Sequence, residues 1–308
     1  MHRREFFRKG LGVALGGVSV PAIPRLFGEP GKESFSSTDP VPELVAVHGG
    51  SPTALFDAGI RALGGMKAFV RKGQTVVVKP NIGWNAGPER ASNTNPELVG
   101  RIVEHCFEAG ARKVYVLDHT CDPWRKCYRN SGIQNAARSA GATMVTGNDN
   151  AHYGKVEIPE AEVLKSAEVH ELVADSDVLL NVPVLKNHGG AVVSLAMKNL
   201  MGVVWDRRYW HRNDLHQCIA DFPTFRRPDL NIIDGYRALL RNGPQGVSVK
   251  DTAVMKKMVL SRDIVAADTA ATLLQGKTAG DVPFIGHARR HGLGESDLSK
   301  LRIRRILL

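Results

Sequence analysis

DVLLNVPVLKNHGGAVVSLAMKNLMGVVW, residues 177–205, is the stretch whose reading decides the fold. Val178-Leu179-Leu180-Asn181-Val182 is an apolar, β-branched run with the length and composition of a buried strand. Lys186, Asn187 and His188 follow just past it, Gly189-Gly190 breaks the run, and the pattern then turns helical. On that helix Ser194 and Lys198 fall one turn apart on one face. Strand end, polar turn, glycine pair and helix start together predict a site. Its two lysines, histidine, asparagine and serine, set against free backbone N–H groups, suit an anion. A plain turn with solvated lysines would read similarly. Against it, Lys198-Asn199 interrupts an apolar set of Val193, Met197, Leu200, Met201 and Val204, where a charge is costly to bury unless it is paired or bound.

The pattern repeats outward from this stretch. Upstream, Leu44–His48 reads as a strand and Ser51-Pro52-Thr53 as a helix start. Thr75–Asn81 reads as a strand ending in Lys79 and Asn81, and Gly83–Asn93 as a loop. Thr94-Asn95-Pro96-Glu97 opens a helix that runs to Ala109, with Gly110 stopping it, and Lys113–Asp118 is the next strand. A helix near Ile133–Ser139 and a strand at Ala142–Thr146 follow. Downstream, Leu230–Gly235 is a strand closing on Asp234, and Ile264–Leu274 is a helix carrying Asp268. This alternation predicts an α/β fold: a mostly parallel sheet with helices on both faces, arranged as lobes at 43–150 and 151–308 around a cleft.

The chain has 308 residues, 43% of them hydrophobic, enough for one large domain or two modest ones. Its formal charge of +10 is partly concentrated near the start, where Arg3, Arg4, Arg8, Lys9 and Arg25 face only Glu5. The remaining positive balance fits small acidic molecules or an anionic surface. With 6% aromatics and no recognition motif, nothing points to nucleic acid. Four scattered cysteines, Cys106, Cys121, Cys127 and Cys218, are too few for a disulfide scaffold. Cys121 and Cys127 are spaced to pair in an exported protein or to bind a metal with His119, and either reading competes with ordinary loop cysteines. No cysteine run of ferredoxin type is present, which argues against an iron–sulfur cluster.

Residues 1–28 resemble a twin-arginine export signal. Arg3-Arg4 precede Phe6-Phe7 and a basic pair, and a short apolar segment, Gly10–Ile23, follows that is too short to span a bilayer comfortably. The resemblance implies passage through the Tat translocase to the periplasm, with the segment either removed or kept as an anchor. Residues 29–42, rich in Gly, Ser and Pro, read as a linker, and 43–308 as the folded domain.

Lys79, Asn81, Asp118, Lys186, His188 and Asp234 all lie at or just beyond the carboxyl ends of predicted strands, the edge where open α/β sheets bind ligands. Lysines there neutralise a phosphate or carboxylate, while aspartates hold a metal, orient a lysine or move a proton. The chain has no GxxxxGK[ST], GxSxG or HExxH, so P-loop, α/β-hydrolase and zincin chemistries lack their marks. His211, His216 and Cys218 are metal-donor types, but the spacing does not put the two histidines on one helical face.

The ordered motifs have a family likeness. Val78-Lys79-Pro80-Asn81, Thr94 with Pro96, Asn181-Val182-Pro183-x-Leu185-Lys186-x-His188, Ser194 and Lys198-Asn199-x-x-Gly202 resemble the DUF362 family, a domain of unknown function. Pro228-Asp229-Leu230 with Asp234, Gly243-Pro244 with Gly246, and Asp263 with Ala267-Asp268 extend the resemblance over roughly 44–285. It implies an α/β domain of obscure activity. Some members carry a ferredoxin-like part, whose cysteine runs this chain lacks.

The expectation that follows is an exported enzyme acting on a small anionic substrate. Lys186, His188, Asp118 and Asp234 are its candidate catalytic groups. Lys79, Asn81, Thr94, Ser194, Lys198 and Asn199 are candidates for substrate binding, and Asp234 and Asp268 for a divalent metal. A periplasmic ligand- or cofactor-binding protein without turnover, and a redox protein, stay open as alternatives.

Overall fold

The computed structural model describes residues 24–27 and 40–308. The arginine pair, the apolar segment after it and the linker up to residue 39 lie outside the described residues. Within the described N-terminal piece, Pro24–Phe27 forms one helical turn with Leu26 and Phe27 buried. The Phe27 ring stands edge-on to His48, and Lys257 Nζ lies 4.6 Å over it.

Twelve strands are described: β1 (Leu44–His48), β2 (Thr75–Pro80), β3 (Lys113–Val116), β4 (Thr143–Met144), β5 (Tyr153–Glu157), β6 (Ser166–His170), β7 (Val178–Val182), β8 (Val184–His188), β9 (Val192–Ser194), β10 (Leu230–Leu239), β11 (Thr252–Ser261) and β12 (Ile303–Leu307). Ten of them form one sheet in the order β12-β1-β11-β10-β7-β2-β3-β4, with β8 added on β10 and β9 on β8; β5 and β6 pair separately. The run from β10 through β7, β2 and β3 to β4 is parallel, while β11 is antiparallel to both of its neighbours. The expected α/β class with a mostly parallel sheet is what the chain adopts. Strands from 43–150 and from 151–308 share this sheet, since β2 lies between β7 and β3, and β1 between β12 and β11. Among the described residues no helix is long and apolar enough to cross a membrane.

Alternation along the strands divides the core into two layers. Val76 and Val78 of β2 face helices Pro52–Ala62, Pro96–Glu108 and Ile133–Ser139, whereas Val77 faces helices Leu215–Phe225, Ile264–Leu274 and Pro283–Arg290. Successive side chains point to opposite faces, so Lys79, Asn181, Asn231 and Ser261 fall on the Val77 face. They form a polar row across β2, β7, β10 and β11.

The region after β7 differs from its sequence reading. Pro183 ends β7 without ending extended structure, and Lys186–His188 complete a second strand, β8, paired antiparallel with β9. Gly189-Gly190 is therefore the turn of a β-hairpin, and Ser194 is a strand residue directly opposite Lys186. The helix is only Ala196–Asn199, continued by a 3-10 turn over Leu200–Val203. The β-branched Val193 favours this extended form, while Val192 enters β9 from the turn at a φ of 66°. The helix N-terminus is not a free anion site either. The buried Asp268 carboxylate accepts from the N–H groups of Ala196 at 2.6 Å and Met197 at 3.0 Å.

Asp268 thus ties helix Ile264–Leu274 to the segment carrying Lys198. Burial raises its pKa to about 7 against the opposing pull of those two amides. Asp268→Ala leaves two buried N–H groups without acceptors and is expected to destabilise the fold by at least about 2 kcal/mol. Asp268→Asn, which keeps one acceptor, costs less. Urea midpoints of the two variants check this order.

Candidate functional site

The carboxyl ends of β2 and β3, the β8–β9 hairpin and the segment after it enclose a cavity of about 400 Å³. Of the sequence candidates, Lys79, Asn81, Asp118, Lys186, His188, Ser194, Lys198 and Asn199 all line it. So do Trp84, His119, Cys121, Met201, Gly202, Arg207, Arg208 and His211. Asp118 is the one carboxylate among these residues.

The floor is a buried ion pair. Lys79 Nζ lies 2.7 Å from Asp118 Oδ1 and also donates to Pro80 O and Asn199 Oδ1. Asp118 Oδ2 accepts from Ile82 N. Burial lowers the Lys79 pKa, and the Asp118 carboxylate opposes that shift. Asn199 links the pair to the sheet: its Oδ1 accepts from Lys79 and Asn81, and its Nδ2 donates to Lys79 O and Asn181 Oδ1. Asn181 donates in turn to Asn231 Oδ1 and Ala196 O. Each amide in the row is satisfied by the next, which makes a buried polar network tolerable. Gly202 packs directly over the pair. A Cβ there would collide with Asp118 Oδ1 and stand 2.8 Å from Lys79 Nζ.

The two remaining lysines have no such partner. Lys186 Nζ donates to Asn81 Oδ1 at 2.9 Å and Ser92 O at 2.7 Å, both uncharged. Lys198 Nζ has Met201 Sδ at 2.9 Å. Burial without a paired carboxylate lowers their pKa values to about 7 and about 8. Arg207 adds a third cation, held by the carbonyl oxygens of His119 and Thr120, with Cys121 Sγ 3.4 Å from Nη1.

Of the three histidines on the cavity, His188 and His119 have opposite tautomers. His188 Nδ1 accepts from the N–H groups of Gly190 and Ala191, so the ring proton is on Nε2. Burial, reinforced by Lys198 and Lys186, drives its pKa down to about 3, which makes His188 a neutral donor rather than a group that titrates near neutrality. His119 Nδ1 lies 3.1 Å from Val204 O and donates to it, which leaves the Nε2 lone pair free. The His119 ring stacks on Trp205, and burial lowers its pKa.

Three sequence candidates sit elsewhere. Thr94 Oγ1 donates to Val182 O and accepts from Asn81 N, fixing the loop that carries Asn81. Asp234 is enclosed with its oxygens on Asn95 N and Tyr236 N, its pKa raised by burial to about 6. Asp234 and Asp268, the two metal candidates, are both absent from the cavity lining and committed to backbone amides. Among the described residues no group of three or more His, Cys, Asp or Glu side chains is placed to hold a metal ion. All four cysteines are free thiols. His211 lines the cavity while His216 stacks on Phe284 and Cys218 is buried in the core, so these three do not converge. The sequence reading missed Arg207 and weighed His119 only as a metal partner of Cys121 and Cys127, because neither belongs to the strand-end pattern. His119, one residue past Asp118, was the nearer to being found.

DUF362, a domain of unknown function, matches residues 76–272. The chain belongs to this family. Every cavity residue from Lys79 to Pro244 lies inside the DUF362 match. The thylakoid-associated protein sll1697 of Synechocystis sp. is 25% identical over 252 residues, covering 79% of this chain and 76% of that protein. Among solved structures, the lactate racemase apoprotein from Thermoanaerobacterium thermosaccharolyticum aligns at a TM-score of 0.41 and 12% identity. That alignment takes in 61% of this chain and half the length of the racemase chain.

Gly202→Ala is expected to force apart the Lys79–Asp118 pair at a cost of roughly 1–3 kcal/mol, read as a lowered urea midpoint. A second expectation follows from the lysines. Their pKa values of about 7 and about 8 lie below the 10.5 of an unfolded chain. Between these limits the unfolded chain binds the extra protons, so their contribution makes stability rise with pH and fall as pH drops. Melting temperature should therefore climb from about pH 8 to about pH 10, above the range where Asp234 and Asp268 titrate. The Lys186→Met/Lys198→Met double variant should lose that climb.

Proposed function

We propose that this DUF362 protein is an enzyme acting on a small anionic substrate. The observation that carries the reading is a pair of buried lysines, Lys186 and Lys198, lining one cavity with no carboxylate partner. A buried ammonium without a counter-ion is unfavourable, and a bound carboxylate or phosphate supplies the missing charge. Lys198 and Arg207 make charge-assisted hydrogen bonds to the anion, and His188 Nε2–H adds a neutral donor. Lys79 is already neutralised by Asp118 and acts through the floor it builds.

The paired histidines favour turnover over simple carriage. A binding protein needs donors alone, whereas His119 lines the cavity with its Nδ1 committed to Val204 O, so its Nε2 lone pair is suited to take a proton from a bound substrate. Neither histidine needs to change tautomer to do so.

Export through the Tat translocase belongs to the same reading, supported by Arg3-Arg4 and the apolar segment after them. Cell fractionation of the full chain beside an Arg3→Lys/Arg4→Lys variant tests it: export predicts loss of the periplasmic pool.

A thermal-shift screen of inorganic phosphate, oxalate and other small carboxylates tests the anion site, followed by NMR of each stabilising compound to detect conversion. Removing one charge-assisted contact costs about 1.5–3 kcal/mol, or roughly 10- to 100-fold in affinity. Lys198→Ala and Arg207→Ala should each weaken binding by that factor while leaving the far-ultraviolet circular dichroism unchanged. If both bind every stabilising anion as the parent does, the reading fails.

A further inference from the structure

Lys186 and Lys198 line one cavity, yet their hydrogen-bonding differs in kind. Lys198 Nζ has a thioether sulfur as its partner, which is a weak acceptor. As an ammonium it therefore has N–H bonds to spare for an anion. Lys186 Nζ has two good acceptors, Asn81 Oδ1 and Ser92 O. Two acceptors match the two hydrogens of a neutral amine and leave its lone pair as the remaining tetrahedral direction. The site that holds Lys186 thus satisfies an amine completely and an ammonium incompletely. The lowering of its pKa by burial agrees with this.

We propose that Lys186 Nζ is a nucleophile that forms an imine with a small carbonyl compound bearing an anionic group, of the 2-oxo acid class. This rests on the anion site proposed above: Lys198 and Arg207 hold the substrate's charge and bring its carbonyl carbon to Lys186. The nitrogen lone pair forms the new C–N bond as the carbonyl π pair moves to oxygen. One amine hydrogen and one proton from solvent leave with that oxygen as water. The other hydrogen stays on the protonated imine and keeps a bond to Asn81 or Ser92. The positive charge so created lies beside the substrate's own anion, which offsets the cost of burying it. An amine held uncharged inside the protein is the form that attacks carbonyls.

The test uses the full-length chain incubated with glyoxylate or pyruvate, then sodium borohydride, whose hydride reduces an imine to a stable secondary amine. Peptide mapping by mass spectrometry reads the modified lysine. The expected result is a carboxyalkyl adduct on Lys186 at least about tenfold above that on exposed lysines such as Lys155. It should fall at least about tenfold in Lys198→Ala. Thermal shifts with oxalate, an anion that has no reactive carbonyl, are measured in parallel. Stabilisation by oxalate with no adduct at Lys186, or with adducts spread evenly over the lysines, overturns the imine and leaves the anion site standing. Neither stabilisation nor an adduct overturns both.

Discussion

Lys79 and Asp118 meet 2.7 Å apart in the interior, and the candidate site depends on that pair being held there. Two charges removed from water repay their desolvation only with close geometry and further hydrogen bonds. The chain supplies these from several directions: Ile82 N and Asn199 Oδ1 on the flanks, the asparagine row beneath, and Gly202 above with no side chain to wedge the pair apart. The same residues fix the positions of Asn81 and Asn199, which in turn set Lys186 and the cavity wall.

With Asp118 engaged by Lys79, the remaining positive charge of the cavity has no internal answer. Lys186, Lys198 and Arg207 are held by neutral oxygens and a thioether. The imbalance is local, and it differs from the chain's overall basicity, much of which is placed at the N-terminal segment. A cavity built with more buried cations than anions is unfavourable when empty, so its stability is coupled to pH and to ligand through the same groups. Buried aspartates are spent differently. Asp234 and Asp268 hold backbone amides that shape the walls, so acidic residues serve the architecture while basic residues serve the cavity.

The two histidines show how little of the chemistry is local. His188 and His119 are residues of one type on one cavity, yet one presents a proton and the other a lone pair. The difference arises because His188 Nδ1 meets two amides of its hairpin turn, while His119 Nδ1 meets the carbonyl of Val204, 85 residues away.

Much of the fold was legible in the sequence because hydrophobic periodicity records burial. The runs Val76–Val78, Val178–Val182 and Leu230–Ile233 are strands, and the polar residues at their ends converge because parallel strands bring their carboxyl ends to one edge. Lys79, Asn81, Asp118, Lys186 and His188 were found that way, whereas Ser194, Lys198 and Asn199 came from a helical reading of the segment after Gly190. That helical reading began too early, because a short apolar run with Gly at its head fits a hairpin equally well: Val192–Ser194 pair with β8, and helix starts only at Ala196. By itself, the sequence determined the α/β class, the DUF362 motifs and the basic edge, all properties of local pattern. Only the tertiary structure decided that Lys79 is paired and Lys186 is not, that Asp234 and Asp268 face amides, and that Arg207 and His119 reach the cavity. Those facts depend on which atoms meet across distant segments, and no period in the chain encodes that.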